Sequence, residues 1–205
     1  SCDTATSALT FNKRYTVAVA AFAGMSVAKS LHLFKGEPML AAEMLEQLTL
    51  PVFVKPNNGG SSIGMSKVND AKDLDAAIEK AFKEDDQVLV EEFIKGREFT
   101  IVVFKSKGQI IALPITEIIS KKEFFDYEAK YLGKSKEITP ARISDELKVK
   151  IETVAKRAYE VLKMKGLFID EIRKNKNFDN NLVNEDGSDI EISDSSQIDI
   201  VDKIQ

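Results

Sequence analysis

The 205-residue chain carries 29 Lys+Arg against 33 Asp+Glu, a net charge of −4, with 43% hydrophobic and 30% charged residues. This is enough apolar material for a core, it excludes a disordered or collagen-like chain, and the length fits one domain or two small ones. No basic surplus exists to hold a nucleic-acid backbone, no apolar run nears the ~20 residues of a membrane span, and the single Cys2 has no disulfide partner, so a cytoplasmic protein is expected.

The chain opens at Ser1 without Met, which suggests the later part of a longer protein. A helix is expected over Ala8–Ala23, stopped at Gly24, then a strand over Met25–Phe34. Gly36–Pro38 breaks that strand, and Met39–Leu48 reads as a short helix. Leu50–Pro56 is β-rich and runs into Asn57-Asn58-Gly59-Gly60-Ser61-Ser62-Ile63-Gly64, with a return strand through Lys67-Val68. Asp70 can cap a helix over Ala71–Phe82, whose Leu74, Ala77, Ile78, Ala81 and Phe82 share a face. Gln87–Ile94 is an apolar strand, and Arg97–Ser106 with Gln109–Ile119 forms a hairpin about Lys107-Gly108.

Lys121–Pro140 is aromatic, charged and turn-rich, hence a loop. Ser144 can cap a long helix to Met164 with Leu147, Ile151, Val154, Ala158, Val161 and Leu162 as its buried stripe. Gly166–Asp170 starts another strand, and from Arg173 the composition turns to Asn, Asp, Ser and Ile without clear periodicity. The expected class is α+β, with mostly antiparallel strands in two layered halves.

Three stretches carry chemistry. Gly59, Gly60 and Gly64 let backbone amides approach an anion closely, and Lys55 adds a positive charge at the strand end beside them. An ordinary flexible hairpin loop is the competing reading. Glu91-Glu92-Phe93-Ile94, followed by Gly96-Arg97-Glu98, can link two halves, read a planar base with its backbone and hold a ribose diol through Glu98; a solvated acidic strand end is the plainer account. Phe124-Phe125-Asp126-Tyr127-Glu128-Ala129-Lys130-Tyr131 is either a lid that orders over a substrate or a surface loop pinned by its aromatics.

Together these segments resemble the D-alanine–D-alanine ligases of the ATP-grasp fold. Lys55-Pro56 with Gly60-Ser61-Ser62-Ile63-Gly64 and Lys67-Val68 is similar to their phosphate-binding hairpin, Val88–Ile94 with Gly96-Arg97-Glu98 to their adenine hinge, and Asp126–Tyr131 to their substrate-covering loop. Asn12-Lys13 resembles the start of their central domain. The resemblance implies two ATP-grasp subdomains, 1–95 and 96–205, sandwiching the nucleotide. It implies that Lys13, Lys55, Gly60, Ser61, Ser62, Ile63 and Lys130 serve the ATP phosphates, that Glu91, Glu92, Phe93 and Ile94 hold adenine, and that Glu98 holds ribose. Ser61, Lys130 and Tyr131 would act at the reacting groups, with D-alanine as substrate, Mg²⁺ or Mn²⁺ as metal, and a homodimer in the full-length protein. The tyrosine-bearing lid favours D-alanine as second substrate over the depsipeptide-forming vancomycin-resistance ligases.

The family pattern is broken at two places. Its N-terminal domain is missing, and no arginine follows Gly166-Leu167, where the family carries an oxyanion-binding one. Asp170 stands at the metal position if one residue is deleted and Glu171 if none is. Glu191, with Ser193 in place of the family's Asn, is the better second ligand and Glu185 the weaker. A nucleotide-binding fragment without turnover is therefore the alternative to a ligase.

Overall fold

A computed structural model of the chain describes residues 2–37, 39–120 and 135–175, and these are the residues treated below. The expected lid with Lys130 and Tyr131, and the tail with Glu185 and Glu191, lie outside them.

The single helix expected over Ala8–Ala23 is two: α1 (Thr4–Phe11) and α2 (Lys13–Phe22). Asn12 divides them in an extended conformation (φ −98°, ψ 106°), ending α1 while its side chain accepts from the Tyr15 amide at 3.0 Å to cap α2. A short amide side chain competes with the helix for backbone donors, so it begins helices better than it continues them. Gly24 ends α2 as expected, at φ +71°. Its N–H donates to Ala21 and that of Met25 to Ala20, the paired closure that a left-handed residue after a helix permits.

β1 spans only Ser30–Phe34, not Met25–Phe34. Its partner β4 (Gln87–Glu92) pairs with residues 30–34 and ends at Glu92, whose amide donates to the Lys29 carbonyl, so residues before Lys29 have no further length of β4 to join. Helix α3 is likewise short, Ala41–Leu45. β2 (Val52–Pro56) and β3 (Ser66–Val68) complete an antiparallel sheet in the order β1-β4-β2-β3. Asp70 caps a 3-10 turn at Ala71–Asp73 before α4 (Leu74–Ala81) begins. Leu74, Ala77, Ile78 and Ala81 of α4 pack on Val52, Val54, Val88 and Val90, closing the first core.

The second sheet is built on β5 (Gly96–Ser106). The second arm of the expected hairpin is interrupted: β6 (Gln109–Ala112) and β7 (Thr116–Ser120) follow one another along one edge of β5, and β9 (Leu167–Asn175) runs along the other. The end of the expected 121–140 loop is a strand, β8 (Ser135–Ile138), paired with β7. Helix α5 (Asp145–Val161) starts at Ser144, whose side chain accepts from the Leu147 amide. It buries Leu147, Ile151, Ala155, Ala158 and Tyr159 against Phe99, Ile101, Val103 and Phe168, while Val154 and Val161 stay half-buried. Ala20 and Met25 join this second core, so α2, early in the chain, packs with the later sheet. The class is α+β with antiparallel sheets, as expected from the sequence.

Candidate functional site

Side chains on a strand alternate between faces. In the first sheet this puts Val52, Val54, Val88 and Val90 toward α4, and leaves Phe53, Lys55, Leu89 and Glu91 on the opposite face. Two of those four are charged, and both are buried: Lys55 is 7% exposed and Glu91 3%. The Lys55 ammonium donates to Glu91 Oε1 across the β2–β4 pair. Two buried charges are tolerable only as partners, because desolvating either alone costs several kcal/mol.

Around this pair the same face carries aromatic and cationic groups. Phe53 and Phe93 meet edge to face with centroids 5.6 Å apart, and Lys67, opposite Phe53 in register, holds its ammonium 4.3 Å from the Phe93 ring centre. His32 lies opposite Leu89 on β1. Burial, and then the nearby Arg14 guanidinium, pushes its imidazole below the usual histidine range.

The loop after β2 is the second component. Gly59 and Gly64 take φ of +100° and +71°, and the two serines between them also sit at positive φ, Ser61 at 55° and Ser62 at 59°. A non-glycine residue there costs about 1–2 kcal/mol, and consecutive ones persist where the surroundings and a function demand the shape. Gly64 is fixed by space as well: a Cβ would lie 2.7 Å from Glu84 Cγ and 2.8 Å from Pro56 Cγ. Asn58 anchors the loop, its backbone and side-chain N–H groups both donating to Asp85 Oδ2 at 2.6 and 2.8 Å. The Ile63 amide donates to the Gly60 carbonyl at 3.2 Å, a partner it would exchange for a phosphate oxygen.

Lys13, the first residue of α2, lies over this loop, its ammonium donating to the carbonyls of Gly59 (2.9 Å) and Asn57 (3.3 Å). The structure thus brings Lys13, Lys55 and the Gly60–Ile63 turn to one end of β2. Glu91 and Phe93 sit on the face just described. Glu92 does not: it lies opposite Val52, and its carboxylate accepts from the Thr49 amide at 2.7 Å. The backbone amides of Glu92 and Phe93 donate to Lys29 and Pro51 carbonyls, and Ile94 is buried. Glu98 is half-buried on β5, on the face opposite the core residues Phe99 and Ile101.

β9 places Asp170 opposite Ile101, a core position, and Glu171 opposite Thr100, two residues along β5 from Glu98. Among the described residues no three His, Cys, Asp or Glu side chains gather to hold a metal. Nor, among them, is any helix long and apolar enough to cross a membrane. One contributor has no signal in the sequence beyond generic turn chemistry, Asn57; Lys67 belongs to the hairpin motif, but its place beside Phe93 follows only from strand register.

Comparison with known proteins gives a consistent result. The family model "D-ala D-ala ligase C-terminus" matches residues 12–185. The D-alanine–D-alanine ligase of Flavobacterium johnsoniae is 55% identical over 166 residues, covering 81% of this chain and 51% of that protein. That of Christiangramia forsetii is 48% identical over 167 residues, covering 82% and 51%. Among solved structures, the VanG D-Ala:D-Ser ligase from Enterococcus faecalis has a TM-score of 0.75 at 35% identity, covering 86% of this chain and 52% of the other. The D-alanine–D-alanine ligase from Bacillus anthracis has a TM-score of 0.73 at 30% identity, covering 85% and 56%. The chain spans about half the length of the curated relatives it matches.

Proposed function

This chain belongs to the D-ala D-ala ligase C-terminus family, and on that premise we propose that it is the nucleotide-binding part of an ATP-dependent D-alanine–D-alanine ligase for peptidoglycan precursor synthesis. Its fold is the ATP-grasp fold of those enzymes. The observation that carries the reading is Lys13 held over a strained glycine–serine loop at the end of β2, the strand that also carries the buried Lys55.

In this reading, residues 1–95 and 96–205 form the two subdomains that enclose ATP, except that α2, with Ala20 and Met25, packs with the second core. Lys13, Lys55 and the amides of Gly60, Ser61, Ser62 and Ile63 neutralise and orient the β- and γ-phosphates. Phosphoryl transfer is catalysed mainly by positioning and by compensating charge, which lysines and amides supply. Glu91 keeps the Lys55 ammonium aimed along the sheet face, the 91–94 backbone reads adenine, and Glu98 takes the ribose hydroxyls. The γ-phosphoryl passes to the carboxylate of the first D-alanine, giving D-alanyl phosphate and ADP. The amine of the second D-alanine attacks the acyl carbon, and phosphate leaves. Ser61, Lys130 and Tyr131 are the residues proposed at that centre. Mg²⁺ or Mn²⁺ would be held by a β9 acid, Glu171 fitting the register better than Asp170, together with Glu191 or Glu185. A cytoplasmic homodimer completes the proposal.

A nucleotide-binding module without turnover is the second reading, favoured by the lack of an arginine after Gly166-Leu167. The experiment is ATP titration of the purified chain by calorimetry, alongside D-alanine-dependent release of ADP and phosphate. Binding with D-alanine-dependent release supports the ligase, and binding without it selects the module. No ATP binding, or binding that survives Lys55→Ala, refutes the phosphate-loop assignment.

A further inference from the structure

Asn57 is 1% exposed and directly follows the last residue of β2. Every polar group it owns is engaged. Its N–H donates to the Gln87 carbonyl at 2.8 Å, and its side-chain Nδ2 donates to Gln87 Oε1 at 3.2 Å. Its carbonyl accepts from the Lys13 amide at 3.1 Å and from the Lys13 ammonium at 3.3 Å, and its Oδ1 accepts from the Arg14 amide at 2.8 Å.

These partners lie on two separately packed bodies. Gln87 opens β4 of the first sheet, whereas Lys13 and Arg14 open α2, whose Ala20 belongs to the second core. The first amides of a helix have no acceptor within the helix and need one elsewhere. Here the Lys13 and Arg14 amides find it in Asn57 and the Tyr15 amide in Asn12. The start of α2 therefore spends these donors on protein acceptors. What it offers a ligand is the Lys13 side chain, held where it reaches Gly59 O at 2.9 Å.

We infer that Asn57 is a positioning residue for nucleotide binding: it pins the start of α2 to the end of β2, and so sets Lys13 against the phosphate loop. This rests on the ATP-binding reading above. The site needs an acceptor toward Arg14 and a donor toward Gln87 on one short side chain, which an amide supplies. A carboxylate lacks the donor, and a serine hydroxyl is one atom shorter.

The test is a double-mutant cycle on the purified chain, with ATP and AMP titrated by calorimetry. Asn57→Leu keeps the side-chain shape and removes both side-chain hydrogen bonds. It is expected to weaken ATP about tenfold, as the loss of one net charged contact does, and AMP by less than about twofold, since AMP lacks the β- and γ-phosphates. In the Lys13→Met background the same substitution should add nothing, because its effect passes through Lys13. If Asn57→Leu does not fold, Gln87→Met removes only the Nδ2 acceptor and should show the same ATP-over-AMP pattern, at about threefold. Equal losses for ATP and AMP, additivity with Lys13→Met, or unchanged ATP affinity in a folded variant each overturn the inference. Failure of the unsubstituted chain to bind ATP refutes the underlying reading, and the inference with it.

Discussion

Lys55→Met leaves the Glu91 carboxylate, 3% exposed, without the ammonium that faces it across β2–β4. Removing one member of a buried pair costs about 3–5 kcal/mol, chiefly because the remaining charge stays desolvated. For a chain of this size each kcal/mol moves the melting temperature by about 2–4 °C, so Lys55→Met should melt about 6–20 °C lower. The double variant Lys55→Met/Glu91→Leu removes both charges and should recover that loss, ending between neutral and about 4 kcal/mol more stable than the unsubstituted chain. ATP affinity should be lost in both variants, since neither keeps the cation. Thermal melts and calorimetric titration of the same samples separate the two effects. A double variant as unstable as the single one would refute the pairing argument. A destabilised Lys55→Met that still binds ATP would refute the assignment of Lys55 to phosphate.

Glu98→Ala should weaken ATP by about 1–3 kcal/mol if it holds the ribose, and should weaken 2′,3′-dideoxy-ATP far less; equal effects on both nucleotides would remove Glu98 from the sugar site. Gly64→Ala should destabilise the chain by about 1–3 kcal/mol, since its φ of +71° and the 2.7 and 2.8 Å approaches to Glu84 and Pro56 both oppose a Cβ, and an unchanged melt would contradict that geometry. His32 is held below its ordinary pKa of 6.5 by burial and by Arg14, so the unfolded chain binds more protons just below that pH. Its contribution is therefore complete above pH 6.5 and lost as pH falls beneath it. Because His32 is the one histidine of the chain, its NMR titration is unambiguous, and a midpoint at or above 6.5 would reverse the sign.

Local chemistry was legible in the sequence wherever a residue acts on its own neighbours. Ser144 caps α5 and Gly24 closes α2, because a short acceptor before a helix and a glycine after it solve problems confined to a few residues. The glycine–serine loop and Lys55 were readable for the same reason: their shape and charge are properties of one short segment. The expected Ala8–Ala23 helix breaks at Asn12 because an asparagine either continues a helix or caps the next, and the packing of α2 on the second core chooses.

Contacts between distant segments were decided by tertiary structure alone. Whether Glu91 or Glu92 faces Lys55 depends on the β2–β4 register, and a one-residue slip would exchange them. The same parity sets Asp170 against a core residue and Glu171 against Thr100, a distinction that spacing along the chain left open. Asn57 looked like any turn residue until β4 and α2 closed over it, because burial makes every one of its polar groups need a partner and the partners lie about 30 and 43 residues away. Sequence thus determined the caps, the fold class and the charged loop; the alignment of strands, which no single segment encodes, determined where several elements end and which side chains share a face.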